Sequence, residues 1–185
     1  MMHADVLTTV SFEFESLHGT VRIPRTTLPI APPPSGGGDS ASHSSGTLTG
    51  GRYITSTSSV GPDFSVGIVV ERRLARGPVA PSIHEFVMER DAMSALESRE
   101  WGFKTPWTPT DPATVSNVTL DGRQWYRESR FAPINVNYVL IVDALYMVIV
   151  RGDFAPSAGS KERAWREENE AVLRKVAESL ETSGK

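Results

Sequence analysis

Two short apolar segments, residues 136–142 and 145–150, constrain the fold of this chain more than any other feature. Val139 to Val142 and Met147 to Val150 are apolar at every position, whereas successive side chains of a β-strand point to opposite faces. Strands that are apolar on both faces lie in the middle of a sheet that is covered on both sides. With a tight turn at Asp143-Ala144 between them, the two segments predict a central hairpin inside a covered sheet.

Six further runs have the composition or alternation of β-strands, and they are residues 6–14, 20–23, 52–58, 64–73, 115–120 and 123–131. The first two predict an N-terminal hairpin. The last two flank Asp121-Gly122, and an Asp-Gly pair between extended runs is typical of a type I′ turn, which needs positive φ at both positions. In the run from residue 64, alternation predicts one face made of Phe64, Val66, Ile68 and Val70, with Val69 on the other.

Two segments have the spacing of amphipathic helices. The first begins at a capping box formed by Ser82 and Glu85 and ends before Gly102. Its predicted buried stripe consists of Ile83, Phe86, Val87, Met93 and Leu96. The second runs from Ser160 to about Leu180, and its predicted stripe consists of Trp165, Val172, Val176 and Leu180, with Leu173 beside it.

The order of these elements predicts an α+β fold, in which one antiparallel sheet is flanked by two helices and preceded by an N-terminal β-hairpin. Residues 29–51 are rich in Pro, Gly and Ser and bury too little apolar surface to offset the entropy of ordering, so we expect a flexible loop there. The predicted organisation therefore has three parts. A hairpin over residues 1–28 docks on the main sheet, the flexible loop covers residues 29–51, and the main body covers residues 52–185.

Charge and composition exclude several classes of protein. The 19 basic and 22 acidic residues are interleaved and give a net charge of −3, which does not favour nucleic-acid binding. The chain has no cysteine and hence no disulfide, and it has no run of about 18 apolar residues that would predict a membrane span. As written, the sequence predicts a cytoplasmic protein, or a periplasmic one if an export signal has been removed.

The residue types that carry catalysis are not arranged in any recognised motif. The four histidines, His3, His18, His43 and His84, show no metal-ligand or catalytic spacing, and no phosphate-binding loop is present. We therefore predict neither an enzyme nor a bound cofactor or metal. One alternative is a small hydrolase that uses carboxylates in turns, namely Asp63, Asp121, Asp143 and Asp153; another is a ligand-binding envelope protein.

Two features are typical of a protein-binding surface. The loop from residue 101 to 107 contains Trp101, Phe103 and Trp107, and large aromatic side chains on loops often contact partners. The strand from residue 123 places Arg123, Trp125 and Arg127 on one face, where Arg–aromatic stacking would suit a partner. The alternatives are that the loop aromatics cap the core, and that the strand is an edge protected from aggregation by its charges.

The order of these motifs resembles the Mog1/PsbP-like family over residues 52–182. The resemblance is carried by Phe64-Ser65-Val66, Pro81-Ser82, Asp121-Gly122-Arg123-x-Trp125, the apolar strands from Val139 to Val150 and the closing helix from Trp165 to Leu180. It implies a non-enzymatic αβα sandwich whose members act as protein-binding modules, among them secretion adaptors, envelope lipoproteins and immunity-like proteins that mask a toxin. It implies no site residues.

The sequence thus predicts a non-enzymatic protein-binding module of bacterial origin. The role that fits best is an immunity protein or an effector adaptor or chaperone linked to a secretion system, with a toxin or effector as partner. The predicted contact residues are Trp101, Phe103, Trp107, Arg123, Trp125 and Arg127.

Overall fold

The computed structural model describes residues 7–24, 43–46, 51–61, 64–74, 77–100, 109–130, 135–154 and 163–184. The helices among them are α1 (Ile83–Glu100), α2 (Arg163–Glu178) and a 3₁₀ turn at Pro112–Thr114. The strands are β1 (Leu7–Phe14), β2 (Leu17–Pro24), β3 (His43–Gly46), β4 (Gly51–Gly61), β5 (Phe64–Arg72), β6 (Val115–Leu120), β7 (Arg123–Arg130), β8 (Asn135–Ile141), β9 (Tyr146–Phe154) and β10 (Glu181–Gly184).

Seven of the described strands form one antiparallel sheet in the order β3-β4-β5-β9-β8-β7-β6. The two apolar segments are β8 and β9, which lie side by side near the middle of this sheet and are buried on both faces. The prediction of a central, doubly covered hairpin is therefore confirmed. Asp143 holds its turn, because the Oδ1 atom accepts hydrogen bonds from the backbone N–H groups of Leu145 and Tyr146.

A second, three-stranded sheet forms from β1, β2 and β10 in the order β1-β2-β10. The N-terminal hairpin is present, but the last strand was not predicted. Its four residues, Glu181 to Gly184, have no apolar alternation, and they pair with β2 only because α2 delivers them beside it. Ser179 fixes this approach, since its hydroxyl oxygen accepts a hydrogen bond from the backbone N–H of Arg22 at 2.9 Å.

The large sheet has a hydrophobic core on each face. On one face α1 packs through Phe86, Val87 and Met93 against side chains of β5 to β9. On the other face α2 shares the coverage with the small sheet, whose Phe12, Leu17 and Val21 belong to the same core as Leu173 and Val176 of α2. The α+β class is confirmed. The predicted arrangement of one sheet between two helices is incomplete, because α2 and the small sheet together cover the second face of the large sheet.

Several local predictions hold. Asp121 and Gly122 both have positive φ, at 50° and 69°, as a type I′ turn requires. The capping box of α1 is formed, because the Ser82 backbone N–H donates to Glu85 Oε2 at 2.8 Å and the Glu85 N–H donates to Ser82 Oγ at 3.3 Å. The hydrogen bond that Glu85 accepts from the Ser82 backbone N–H lowers the pKa of Glu85 most. The one that it accepts from the Ser82 hydroxyl lowers this pKa further.

Both helices differ in detail from their predicted stripes. Buried Arg90 lies on the inner face of α1. The predicted Val176 and Leu180 are buried, with Leu180 just beyond the end of α2, whereas Trp165 and Val172 are only partly buried, and Asn169, Leu173 and Ala177 are buried on the inner face of α2. Within the described part of the chain, neither helix combines the length and the apolar character that crossing a membrane demands.

The predicted loop at residues 29–51 is wrong at residues 43–46, which form β3 and pair with β4, and at Gly51, which begins β4. β4 itself extends to Gly61, beyond the predicted end at Ser58. Both departures follow from pairing with a neighbour, which supplies hydrogen bonds to segments whose own composition does not favour strands. Residues 29–42 and 47–50 lie outside the described residues.

Candidate functional site

The predicted partner-binding residues are only partly within the described chain. Trp101, Phe103 and Trp107 lie outside the described residues, so their role stays a prediction. Arg123, Trp125 and Arg127 lie on β7, which is hydrogen-bonded to β6 on one side and to β8 on the other. β7 is therefore an interior strand, and the alternative of a charge-protected edge is wrong.

Trp125 is a core residue. Its side chain is 0% exposed and belongs to the core between the large sheet and α2. Arg123 lies over its ring, with the guanidinium carbon 5.6 Å from the ring centroid, and donates from Nη2 to the carbonyl oxygen of Leu180 at 2.6 Å. The predicted Arg–aromatic stacking exists, but it closes the core rather than facing a partner, and the prediction that Trp125 contacts a partner is wrong for this reason.

Arg127 is occupied by an ion pair inside the molecule. Its Nε and Nη2 atoms donate to the two carboxylate oxygens of Glu170 on α2, at 2.5 and 3.0 Å, and the hydroxyl of Tyr138 donates to Glu170 at 2.7 Å. Burial raises the pKa of Tyr138, and its hydrogen bond to Glu170 raises it further. These contacts fasten α2 to β7 and β8, so Arg127 has a structural role in this conformation.

The same contacts make stability depend on pH. Burial raises the pKa of Glu170, but the hydrogen bonds from Arg127 and Tyr138 outweigh it and hold the pKa below its ordinary value. A carboxylate whose folded pKa is depressed contributes stability above its unfolded pKa of about 4.3, and this is lost as pH falls through the folded value. We expect Glu170→Gln to destabilise the protein at pH 7 and the difference from wild type to shrink below about pH 4, measured by urea unfolding. A difference independent of pH would contradict this.

A buried cluster of three charges lies beneath α1. Arg90 donates from Nη1 to Glu71 Oε2 at 2.6 Å and from Nη2 to Glu128 Oε1 at 2.9 Å, and all three side chains are at most 5% exposed. Asn137 adds a hydrogen bond from Nδ2 to Glu128 at 2.8 Å. Desolvation opposes the charge on Arg90, but the two carboxylates outweigh it and raise the pKa of Arg90. The cluster links α1 to β5 and β7 and is closed to solvent.

The sequence contains a signal for this cluster. Arg90 stands between Phe86, Val87 and Met93 at the three- and four-residue spacing of the inner helix face. A charged residue at such a position must be paired if it is buried. Glu71 and Glu128 occupy inward positions of their strands in the same way, but which carboxylate meets Arg90 depends on the tertiary structure.

A second arginine, Arg73, joins three segments at one end of the large sheet. Its side chain is 0% exposed. It donates from Nε and Nη2 to both carboxylate oxygens of Glu89 on α1, at 2.9 and 2.8 Å, and from Nη1 to the carbonyl oxygens of Asp143 and Gly77, at 3.0 and 3.3 Å. The bidentate geometry is the strongest that an arginine can make with a carboxylate. Arg73 therefore fixes the β8–β9 turn and the loop before α1 relative to the helix.

The exposed large apolar side chains of the described residues lie close along the chain to Arg73 or to a residue that it binds. They are Leu74, Val79, Met88 and Leu145, with exposures of 38, 53, 60 and 39%. Each lies within two residues along the chain of Arg73 or of a residue that Arg73 binds, and the backbone N–H of Arg73 donates to the carbonyl oxygen of Leu145 at 2.7 Å. We call these four residues the Arg73 patch. No sequence pattern marked them, because they are far apart in the chain.

The three carboxylates of the hydrolase alternative that the structure describes do not meet in one site. Asp121 lies 3.9 Å from Arg123, Asp143 caps its own turn, and Asp153 accepts hydrogen bonds from Arg151 and Asn135 at the far end of β9. Asp63 lies outside the described residues. The three described carboxylates are thus engaged in separate local contacts.

A cavity of about 660 Å³ opens on the outer face of the small sheet. It is lined by residues that include Glu13, His18, Thr20, Glu181 and Ser183. The Nδ1 atom of His18 lies 3.8 Å from Glu13 Oε2, which is beyond hydrogen-bond distance, and its Nε2 atom has no partner among the described residues. Within the described chain, no group of three or more potential metal ligands is found at this or any other place.

Comparison with protein-family models, with curated proteins and with solved structures finds no match for this chain. The resemblance to the Mog1/PsbP-like family is therefore untested and stays a prediction.

Proposed function

We propose that this protein acts by binding another protein and that the Arg73 patch is where the partner docks. The observation that carries the proposal is that Leu74, Val79, Met88 and Leu145 are exposed and each stands within two residues of buried Arg73 or of a residue that Arg73 binds. Exposed apolar residues scattered singly need no explanation, whereas a group of them at one place is typical of an interaction surface.

The way the patch is built supports this role. Its residues lie on loops and on the outer side of α1, and Arg73 holds these segments together through four side-chain hydrogen bonds. Because the segments that bear the patch residues are fixed before a partner binds, little conformational entropy is lost on docking. Loops fixed on a rigid sheet commonly carry binding residues.

The charges within the patch are already neutralised. Arg73 is paired with Glu89, whose side chain is 10% exposed, so the base of the patch presents no free charge. A partner with a complementary apolar surface could therefore cover it without leaving an unpaired charge behind. These features favour protein binding over the recognition of a charged polymer.

The finer role that we propose is an immunity protein or an effector adaptor of a bacterial secretion system. Its support is the resemblance to Mog1/PsbP-like proteins, together with the element order ββαββββα from β4 to α2, which is the order on which that resemblance rests. The proposed partner is accordingly a toxin or an effector. The aromatic loop with Trp101, Phe103 and Trp107 remains a proposed part of the contact surface.

Charge introduced into the patch should abolish binding without unfolding the protein. We expect a double variant, Val79→Glu with Leu145→Glu, to reduce partner binding at least about a hundredfold, because carboxylates would be buried against an apolar partner. Stability should change little, by about 0.5 kcal/mol per site, since both positions are exposed. The measurement is affinity capture from the source organism, followed by titration calorimetry with the purified partner.

Thr9→Glu, compared with Val79→Glu alone, is the matched control. Thr9 is an exposed residue of β1, so each of these two variants adds one negative charge, and Thr9→Glu adds it on the small sheet, which carries no patch residue. If the double variant bound the partner as tightly as the wild type and the control, the patch would not be the docking site. Hydrolysis of a substrate that is lost in Asp121→Asn or Asp153→Asn would instead favour the hydrolase alternative.

A further inference from the structure

We propose that this protein forms a homodimer in which β6 pairs with β6 of a second copy, so that the two large sheets join into one. The proposal does not depend on the Arg73 patch, because the patch residues lie between β5 and α1, on α1 and on the β8–β9 turn, and none of them is part of β6. It starts from the edge that β6 forms.

Among the described residues, β6 has a hydrogen-bonded neighbour on one side only. Its sequence, Val-Ser-Asn-Val-Thr-Leu, contains no charged residue and no proline, and its pairing with β7 runs without a register shift. Natural proteins usually protect edge strands with charges, proline or bulges. The edges of the small sheet follow this rule, since β1 carries Glu13 and β10 carries Glu181.

The register determines which backbone groups β6 offers. Leu120 and Arg123 flank the two-residue turn and form a hydrogen-bonded pair, and such pairs alternate along an antiparallel ladder. Ser116, Val118 and Leu120 therefore bond to β7, whereas the N–H and C=O groups of Asn117 and Thr119 point outward. These four groups have no backbone partner among the described residues.

The four outward groups of β6 can pair with the same four groups of a second copy. If two copies of β6 run antiparallel about a two-fold axis through Val118, Asn117 of each copy lies opposite Thr119 of the other. Each of these two pairs exchanges both N–H···O=C bonds, so all four outward groups are satisfied. A closed dimer of this kind uses the same surface on both subunits, as a two-fold interface requires.

The side chains fit the same arrangement. Val118 is half-buried against the core between the large sheet and α2, and at the axis it would meet Val118 of the partner copy. On the other face, exposed Asn117 and Thr119 would form polar cross-strand pairs, and no like charges oppose each other along β6. A second copy is therefore an occupant that matches the edge in hydrogen bonding, charge and side-chain character.

The test is the oligomeric state of the full chain across a wide range of concentration, measured by sedimentation equilibrium. The wild type should show a reversible monomer–dimer equilibrium. Thr119→Pro removes one outward N–H group without disturbing the ladder to β7 and should weaken dimerisation at least about tenfold. Val118→Lys, which sets two like charges across the axis, should weaken it at least as much.

The matched control is Thr9→Pro. Thr9 is also a threonine of an edge strand whose N–H group points outward, because β1 and β2 form a ladder from the pair Phe14 and Leu17. It should leave dimerisation unchanged. A wild type that stays monomeric, or a dimer that neither β6 variant weakens, would overturn the proposal.

Hydrogen exchange tests the same interface without any substitution. The amide groups of Asn117 and Thr119 should exchange more slowly as the protein concentration rises, whereas that of Thr9 should not change. Exchange at Asn117 and Thr119 that is independent of concentration, in a sample that dimerises, would place the interface elsewhere and contradict the proposal.

Discussion

Arg90→Met is expected to destabilise this protein by about 3–5 kcal/mol, which is the usual cost of removing one partner from a buried ion pair. The substitution keeps the volume and apolar stem of the side chain but leaves Glu71 and Glu128 buried without their cation. Such a loss is a large fraction of the stability of a typical domain. Chemical denaturation at pH 7, read by far-UV circular dichroism, measures it.

The dependence of this loss on pH identifies its cause. Without Arg90, burial and mutual repulsion would raise the folded-state pKa of Glu71 and Glu128 above the unfolded values. A group with a raised folded pKa favours the folded state as pH falls, because the folded protein then binds more protons. The gap between Arg90→Met and wild type should therefore be smaller at pH 5 than at pH 8.

Two further variants serve as controls for Arg90→Met. Arg163→Met removes an arginine whose side chain is 91% exposed and which pairs with Glu167, and it should change stability by less than about 1 kcal/mol. Replacing Arg90, Glu71 and Glu128 together by apolar residues of similar size should recover most of the loss. If Arg90→Met cost no more than Arg163→Met, the buried cluster would not stabilise the fold.

Trp125→Ala should be the second most damaging change, with an expected loss of about 3–5 kcal/mol. The ring is fully buried, so its removal leaves a cavity between β7, α2 and the small sheet and withdraws the surface on which Arg123 rests. An exposed contact residue would behave differently, since truncating it usually changes stability by less than about 0.5 kcal/mol. Thermal and urea unfolding distinguish the two cases.

Trp125→Phe gives a graded comparison. It keeps an aromatic ring and removes the indole N–H, which is buried with no hydrogen-bond partner among the described residues. Removing a buried unsatisfied donor is favourable and offsets part of the free energy lost with the side-chain volume. We therefore expect Trp125→Phe to lose less than half as much stability as Trp125→Ala. Val79→Ala, at an exposed site, should be nearly neutral. A stable Trp125→Ala variant that fails to bind a partner would contradict the core assignment.

Local signals in the sequence were sufficient for most of the secondary structure. The Asp121-Gly122 turn, the Ser82–Glu85 capping box and the doubly apolar strands β8 and β9 each depend on residues close together in the chain. Steric limits on φ, helix-end hydrogen bonding and side-chain alternation act over a few residues, so they can be read without the fold. β10 escaped prediction because its pairing partner is about 160 residues away and its own sequence has no strand pattern.

The candidate sites were less predictable than the elements. Arg123, Trp125 and Arg127 looked like an exposed Arg–aromatic face because neither side of their strand is apolar. In the fold, Glu170 of α2 pairs with Arg127, and the carbonyl of Leu180, which follows α2, accepts a hydrogen bond from Arg123. A polar residue on an interior strand can be assigned to core or surface only when its partner is known.

The sequence by itself determined that this chain is α+β, where its two helices and most of its strands lie, and that β8 and β9 occupy the covered centre of a sheet, because burial pattern and turn chemistry are local properties. Only the tertiary structure decided which charges are buried together, that the ring of Trp125 is internal, and that exposed Leu74, Val79, Met88 and Leu145 stand beside Arg73 or a residue that it binds. Those outcomes depend on pairings between residues distant in sequence, and no local preference of either residue specifies its partner.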